Sequence, residues 1–214
     1  MTSLARVTML DLRTVAPYRL QLLGFPLLMM AGFFGKPEGI VPALALLSAS
    51  PAAAYPFMIS DRADLDTLYA VLPLTRRSLL LGRYVWALAT FVTAAGVGIP
   101  VCLLLARLEN LSFGGYALTA IVAVSWALFA LNISIQFPLF VRFGYTRAGM
   151  VGTTITLTVV TVTVTVAVLH AHVNLKPGLV WLILAAAIGV VLFCASAAAA
   201  IGLDPRRVRR PIAE

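Results

Sequence analysis

The distribution of charge constrains this chain more than any motif in it. Six stretches, residues 20–34, 40–59, 84–106, 116–141, 148–169 and 179–203, contain no Asp, Glu, Lys or Arg, and the short segments between and around them hold all the charge. An α-helix rises 1.5 Å per residue, so roughly 20 apolar residues cross the ~30 Å hydrocarbon core of a bilayer. The composition agrees, with 61% hydrophobic residues, 11% charged residues and a mean hydropathy of +0.99. These features predict an all-α integral membrane protein of six transmembrane helices, folded as a single domain over residues 1–214. Residues 20–34 are the shortest span. The Gly35-Lys36-Pro37-Glu38-Gly39 run after them has the composition of a turn, which makes the first two spans a tight hairpin.

Orientation follows from the basic residues. With the N-terminus in the cytoplasm, the inner segments carry Arg6, Arg13, Arg19, Arg62, Arg76, Arg77, Arg83, Arg142, Arg147, Arg206, Arg207, Arg209 and Arg210, leaving only Lys36, Arg107 and Lys176 outside. The positive-inside rule then places both termini, including the basic tail at 204–214, in the cytoplasm. Arg76, Arg77, Arg83 and Arg142 are expected at headgroup level. The net charge of +8 is explained by this arrangement. No basic face interleaved with aromatic and polar residues suggests a nucleic-acid partner.

The fifth stretch is rich in β-branched residues and partly alternates, which locally resembles a strand. Its length and its five helical companions decide for a helix. Thr154, Thr158, Thr161 and Thr165 then recur along one face. Each hydroxyl could bond the carbonyl one turn back, or the stripe could meet another helix or line a path.

Between the second and third spans, residues 60–83 form the most informative inner segment. Ser60 or Asp61 is a plausible cap for a short helix with acid in its first turn, and Leu65, Leu68, Tyr69 and Leu72 fall at i, i+3, i+4 and i+7. Pro73 would stop it and Thr75 could cap the next helix. Such an amphipathic helix under the membrane is either a docking element or a solvated connector.

The chemistry that is missing narrows the function. Ion-coupled carriers and intramembrane enzymes depend on ionisable groups in the spans, and these spans have none. Asp61, Asp64 and Asp66 have no His nearby for a metal site, and His170 and His172, two apart, do not share a helix face. Cys102 and Cys194 lie in apolar runs and behave as small hydrophobes. The two lysines each precede a proline rather than ending a Gly-rich phosphate loop, so nucleotide hydrolysis would require another chain. No catalytic residue, metal or cofactor is expected on this chain.

Three phrases carry a family resemblance. Tyr55-Pro56-Phe57 through Asp61, followed by Leu68-Tyr69-Ala70-Val71-Leu72-Pro73-Leu74-Thr75-Arg76-Arg77 and Leu81-Gly82-Arg83-Tyr84, resembles the region after the second span of ABC-2 type permeases. Phe137-Pro138-Leu139-Phe140-Val141-Arg142-Phe143-Gly144-Tyr145 resembles the phrase after the fourth span in their small six-span branch, and Leu10-Asp11-Leu12-Arg13 fits the N-terminal approach to the membrane. Val71 stands where the family often has Ser, and Arg83 and Arg142 where it often has Lys. Arg keeps the charge at a membrane edge.

The resemblance implies the permease subunit of an ABC exporter in a bacterial cell membrane, acting on an amphipathic peptide, lipid or drug. It implies two copies of a cytosolic ATPase subunit that carry ATP and Mg, and a second permease chain, identical or homologous. Residues 1–19 would hold an amphipathic elbow helix. The segment with Asp61, Asp64, Leu65, Leu68, Tyr69 and Leu72 would be the coupling helix, and the second and fifth spans, with the Thr stripe, would approach the dimer axis and the translocation path. A membrane scaffold, or a lipid-modifying enzyme with an unrecognised site, is the competing reading. The topology is testable: a cysteine in the Arg206–Arg210 tail should be shielded from an impermeant thiol reagent in intact cells, and one near Asn110 labelled; outside labelling of the tail would exclude this orientation.

Overall fold

The computed structural model describes residues 37–62, 75–110, 114–146, 148–149, 151–152, 154, 158 and 178–202. Four helices among them are long and apolar enough to cross a membrane: α1 (Pro37–Arg62), α2 (Arg76–Leu108), α3 (Gly115–Phe143) and α4 (Leu179–Gly202). They correspond to the second, third, fourth and sixth expected spans, and no strand occurs among the described residues. The first span, the elbow segment, most of the fifth span and the basic tail lie outside the described residues.

Local chemistry sets the helix ends. Thr75 caps α2 in extended backbone geometry: its Oγ1 accepts from the Ser78 N–H at 3.3 Å, while the Ser78 hydroxyl donates to the Thr75 carbonyl at 2.6 Å. At 33 residues α2 is about 50 Å long, so it outruns the hydrocarbon core. α3 ends at Gly144, whose φ of +77° is open to glycine and strained for other residues. α1 opens with a 3₁₀ turn at Pro37–Gly39, where the sequence suggested a loop, and continues to Arg62. Ser60 and Asp61 therefore belong to its last turn instead of capping a new helix, because nothing between Ile59 and Arg62 interrupts helical backbone.

Pairings across the interfaces fix the directions. α1 and α2 are antiparallel: Val41 and Leu44 lie against Gly98, the Ala52 carbonyl meets Trp86, and Phe57 meets Arg83. α2 and α3 are also antiparallel, with Phe91 on Phe129 and Tyr84 on Phe137. α3 and α4 share the most extensive interface and run parallel, Trp126 facing Gly189 and Ser134 facing Ser196. Parallel neighbours place Gly144 and Gly178 at opposite ends of the bundle. α1 is the inner helix, with 61% of its most apolar stretch buried against 17% for α2 and α4 and 28% for α3. The outer faces are apolar, with Leu104 60%, Val180 75% and Val191 65% exposed, as lipid contact requires.

Prolines organise the polar ties between helices. Pro56 has no N–H, which deprives the Ala52 carbonyl of its helical donor, and the Trp86 indole N–H of α2 donates to that carbonyl at 3.0 Å. Pro138 does the same to the Ser134 carbonyl, which lies 3.3 Å from Ser196 Oγ of α4. Ser196 has one hydroxyl proton; when it serves Ser134, Tyr84 must be the donor in the 2.7 Å Tyr84–Ser196 bond, giving a chain across α2, α4 and α3. Within α1 a π-helical turn, Ala45–Ala49, precedes Pro51 and widens the backbone where the ring would otherwise press on the Leu47 carbonyl.

The α3–α4 interface depends on a small residue. A Cβ at Gly189 would lie 2.7 Å from Trp126 Nε1 and 3.2 Å from the Ala127 Cα. Gly189→Leu should lower the melting temperature in detergent, with overpacking costing about 1–3 kcal/mol. Gly96→Ala, where an added Cβ meets nothing within 4 Å, should leave it unchanged or raise it slightly.

Candidate coupling site at the basic end of the bundle

The antiparallel order gathers the last turn of α1, the first turns of α2, and the last turns of α3 and α4 at one end. Arg62, Arg77 and Arg142 are exposed there, and Arg76 begins α2. The Arg142 guanidinium lies 5.4 Å from the centroid of the exposed Phe143 ring, a pairing suited to a membrane edge.

Asp61 occupies the centre of this end. Gly144 closes α3, its N–H bonding the Phe140 carbonyl at 3.0 Å, and opens the next helical stretch, its own carbonyl accepting from the Ala148 N–H at 3.1 Å. A glycine in the N-cap position has no side chain to satisfy the N–H groups that follow. Asp61 of α1 supplies the missing acceptor: one carboxylate oxygen takes the Thr146 N–H at 2.7 Å and the Thr146 hydroxyl at 2.6 Å. Its charge also suits the positive end of that helical stretch. The backbone angle favours glycine at 144, and a Cβ there would also crowd the Asp61 carboxylate at 3.3 Å from Oδ1.

One turn before Asp61, on the same face, Phe57 is the hub of an aromatic cluster. Its ring meets Phe137 at 4.8 Å and Phe140 at 5.6 Å; Phe140 in turn meets Tyr145 at 5.1 Å. The Arg83 guanidinium lies 4.2 Å over Phe57. Arg83, seven residues into α2, is only 7% exposed and turns inward among the helices. An Arg can stay charged there because its planar face stacks on the ring. The α2 helix starts at Arg76 because Thr75 caps it, as its residue type suggested, so the helix carries Arg83 ahead of the uncharged stretch that begins at Tyr84.

Deeper in the bundle, α1 and α3 are joined by Asn132, whose Nδ2 donates to Ser50 Oγ at 2.6 Å. Gln136 donates to the Gly152 carbonyl at 3.0 Å, tying α3 to the stretch after Gly144. A groove of about 410 Å³ between α2, α3 and α4 is lined by Phe91, Leu118, Val122, Trp126 and Ala186, among others, and its Thr119 hydroxyl already bonds the Tyr116 carbonyl. It offers hydrocarbon contact and no polar chemistry.

Asp61 is thus placed at an interhelical junction. Asp64, Leu65, Leu68, Tyr69 and Leu72 lie outside the described residues, as do Thr161 and Thr165. Thr154 and Thr158 are on the exterior of the chain, and the Thr158 hydroxyl donates to the Thr154 carbonyl at 2.8 Å. Among the described residues, no group of three His, Cys, Asp or Glu side chains could hold a metal. Sequence reasoning missed Thr146, Asn132 and Gln136. The last two were detectable as amides one helical turn apart in an otherwise apolar span; Thr146 carried no local signal, since its partner is 85 residues away.

A bundle of long apolar helices with lipid-type outer faces, an internal polar seam and a basic end defines a multi-pass helical membrane protein. The family model for ABC-2 family transporter proteins matches residues 9–203, and the chain belongs to that family. It is therefore an ABC transporter permease, the membrane component of a transport system and not itself an enzyme. No curated protein and no solved structure matches it.

The Asp61 junction is testable by a double-mutant cycle. Asp61→Ala and Thr146→Val should each lower stability in detergent, with a coupling on the order of 1 kcal/mol, reduced from a buried charged hydrogen bond by the solvent exposure of both groups. Additive effects would mean that the two residues act independently.

Proposed function

We propose that the chain is the permease subunit of an ABC exporter that takes its energy from a separate cytosolic ATPase, with residues 63–74 and the end of α1 forming the surface on which that ATPase docks. The observation that carries this reading is the Asp61–Thr146 junction. The segment with Leu65, Leu68, Tyr69 and Leu72 leaves directly from the turn that holds Asp61. Asp61 in turn grips the start of the stretch that leads to Thr154 and Thr158. A push on the docking segment would reach that stretch through a charged hydrogen bond, without passing through lipid.

In this reading the arginine-rich end faces the cytoplasm, both termini lie there, and the membrane is a bacterial cell membrane. ATP and Mg belong to two copies of the ATPase. A second permease chain, identical or homologous, completes the path, and the outward-facing Thr154 and Thr158 belong to the surface that meets it or lines the path. The cargo is amphipathic, a peptide, lipid or drug, since the spans offer hydroxyls, amides and aromatic rings and no fixed charge except Arg83. The parallel course of α3 and α4 favours a fifth crossing between them, which together with the 20–34 stretch as the first span makes six.

The docking segment is tested by Leu68→Ala with Tyr69→Ala. The chain should still insert, while ATPase co-purification or transport should fall tenfold or more, corresponding to a loss of ~1.4 kcal/mol. Unchanged complex formation and transport would reduce this segment to a connector.

A further inference from the structure

α1 is tied to its neighbours along its whole length, but its middle departs from α-helical hydrogen bonding. Toward the basic end, Phe57 lies under Arg83 and against Phe137 and Phe140, and Asp61 is bound to Thr146. Toward the other end, Val41 and Leu44 pack on Gly98 so closely that a Cβ there would come within 3.1 Å of Leu44 Cδ1. The stretch between contains the π-helical turn Ala45–Ala49, Pro51 and Pro56, three departures from α-helical hydrogen bonding within twelve residues. Ser48 Oγ is buried there with no hydrogen-bond partner among the described residues. The ties from this stretch to other helices include Asn132 to Ser50, Thr90 to the Ala49 carbonyl at 3.3 Å, and Trp86 to the Ala52 carbonyl at 3.0 Å. The Thr90 hydroxyl is shared with the Ala87 carbonyl of its own helix at 2.7 Å, so the Trp86 bond is the stronger of the two to the α1 backbone.

We propose that the 45–56 stretch of α1 is a built-in hinge and that Trp86 is its latch: the indole N–H holds the proline-freed Ala52 carbonyl and thereby sets the bend of α1. An orphaned carbonyl in lipid needs a donor, so the closed hinge is stable only while Trp86 reaches it. Loss of that bond frees α1 to bend at Pro56, which changes the angle between the part packed on Gly98 and the part that carries Phe57 and Asp61. Trp86 is a positioning residue, half of whose role is packing; the hydrogen bond is the part specific to the latch. The hinge stands on the geometry of this chain alone, whether or not an ATPase docks on residues 63–74.

The test uses the whole chain in lipid nanodiscs. Spin labels are placed through Glu38→Cys and Arg62→Cys, both exposed ends of α1, in a background with Cys102→Ser and Cys194→Ala. A straight helix would separate these positions by about 36 Å. Trp86→Phe, which keeps the ring and removes the N–H donor, should broaden the distance distribution toward shorter values. Pro56→Ala restores an N–H to the Ala52 carbonyl, so Pro56→Ala/Trp86→Phe should match Pro56→Ala alone. The loss of melting temperature caused by Trp86→Phe should likewise be at least halved in the Pro56→Ala background. If Trp86→Phe alone fails to fold, recovery of a folded chain in the double variant supports the latch, and failure of both overturns it. The proposal is also overturned if Trp86→Phe leaves the 38–62 distance unchanged, or alters it equally with and without Pro56.

Discussion

Hydrocarbon supplies no hydrogen bonds, so a proline inside a spanning helix frees a carbonyl that a local change of helix type or a donor from another helix can satisfy. Much of the arrangement follows from that requirement. Pro56 turns the Ala52 carbonyl toward α2, where Trp86 meets it; Pro138 turns the Ser134 carbonyl toward α4, where Ser196 meets it and Tyr84 completes the chain. In water the same carbonyls would be hydrated and would tie nothing together. In lipid they become directional contacts between helices whose apolar faces alone would not distinguish one partner or register from another. The aromatic rings of Phe57, Tyr84, Phe91, Trp126, Phe129 and Phe137 then fill the space around these fixed points.

The basic end of the bundle uses a different principle. Helix termini there are near solvent, and their unpaired groups could be left to water, yet Asp61 is spent on the start of the stretch after Gly144. The local sequence cannot cap that stretch, because the position that would supply the cap is the glycine needed to end α3. A carboxylate from α1 fills the role and ties α1 to the junction between α3 and the stretch that follows it, 85 residues away in sequence. Arg83 stacked on Phe57, one turn inside, keeps that junction in register with α2.

The apolar interfaces and the polar ties divide the work unequally. α3 and α4 pack closely because Gly189 lets Trp126 approach, a contact of shape with little freedom. α1, although it is the most buried helix, is broken by a π-helical turn and two prolines in its middle. The departures from regular helix are thus concentrated in α1, while the α3–α4 contact is one of close shape.

Much of the architecture was legible in the sequence, for a simple reason: crossing a bilayer requires long runs of apolar residues, and nothing else in a chain of this size has that signature. The four described helices fall where the uncharged stretches are, and Thr75 caps α2 as its residue type suggests, because capping is a local event. Tertiary structure alone decided three things. It carried α1 through Ser60 and Asp61 to Arg62, since the acceptor role that looked like a local cap is played toward Thr146, 85 residues away. It drew Arg83 into the bundle, because the helix before it gives the side chain a ring to lie on and charge by itself predicts only the membrane edge. It made α3 and α4 neighbours; six alternating crossings already imply that they run parallel, but no hydropathy pattern encodes their contact, which side chains such as Trp126 and small residues such as Gly189 decide.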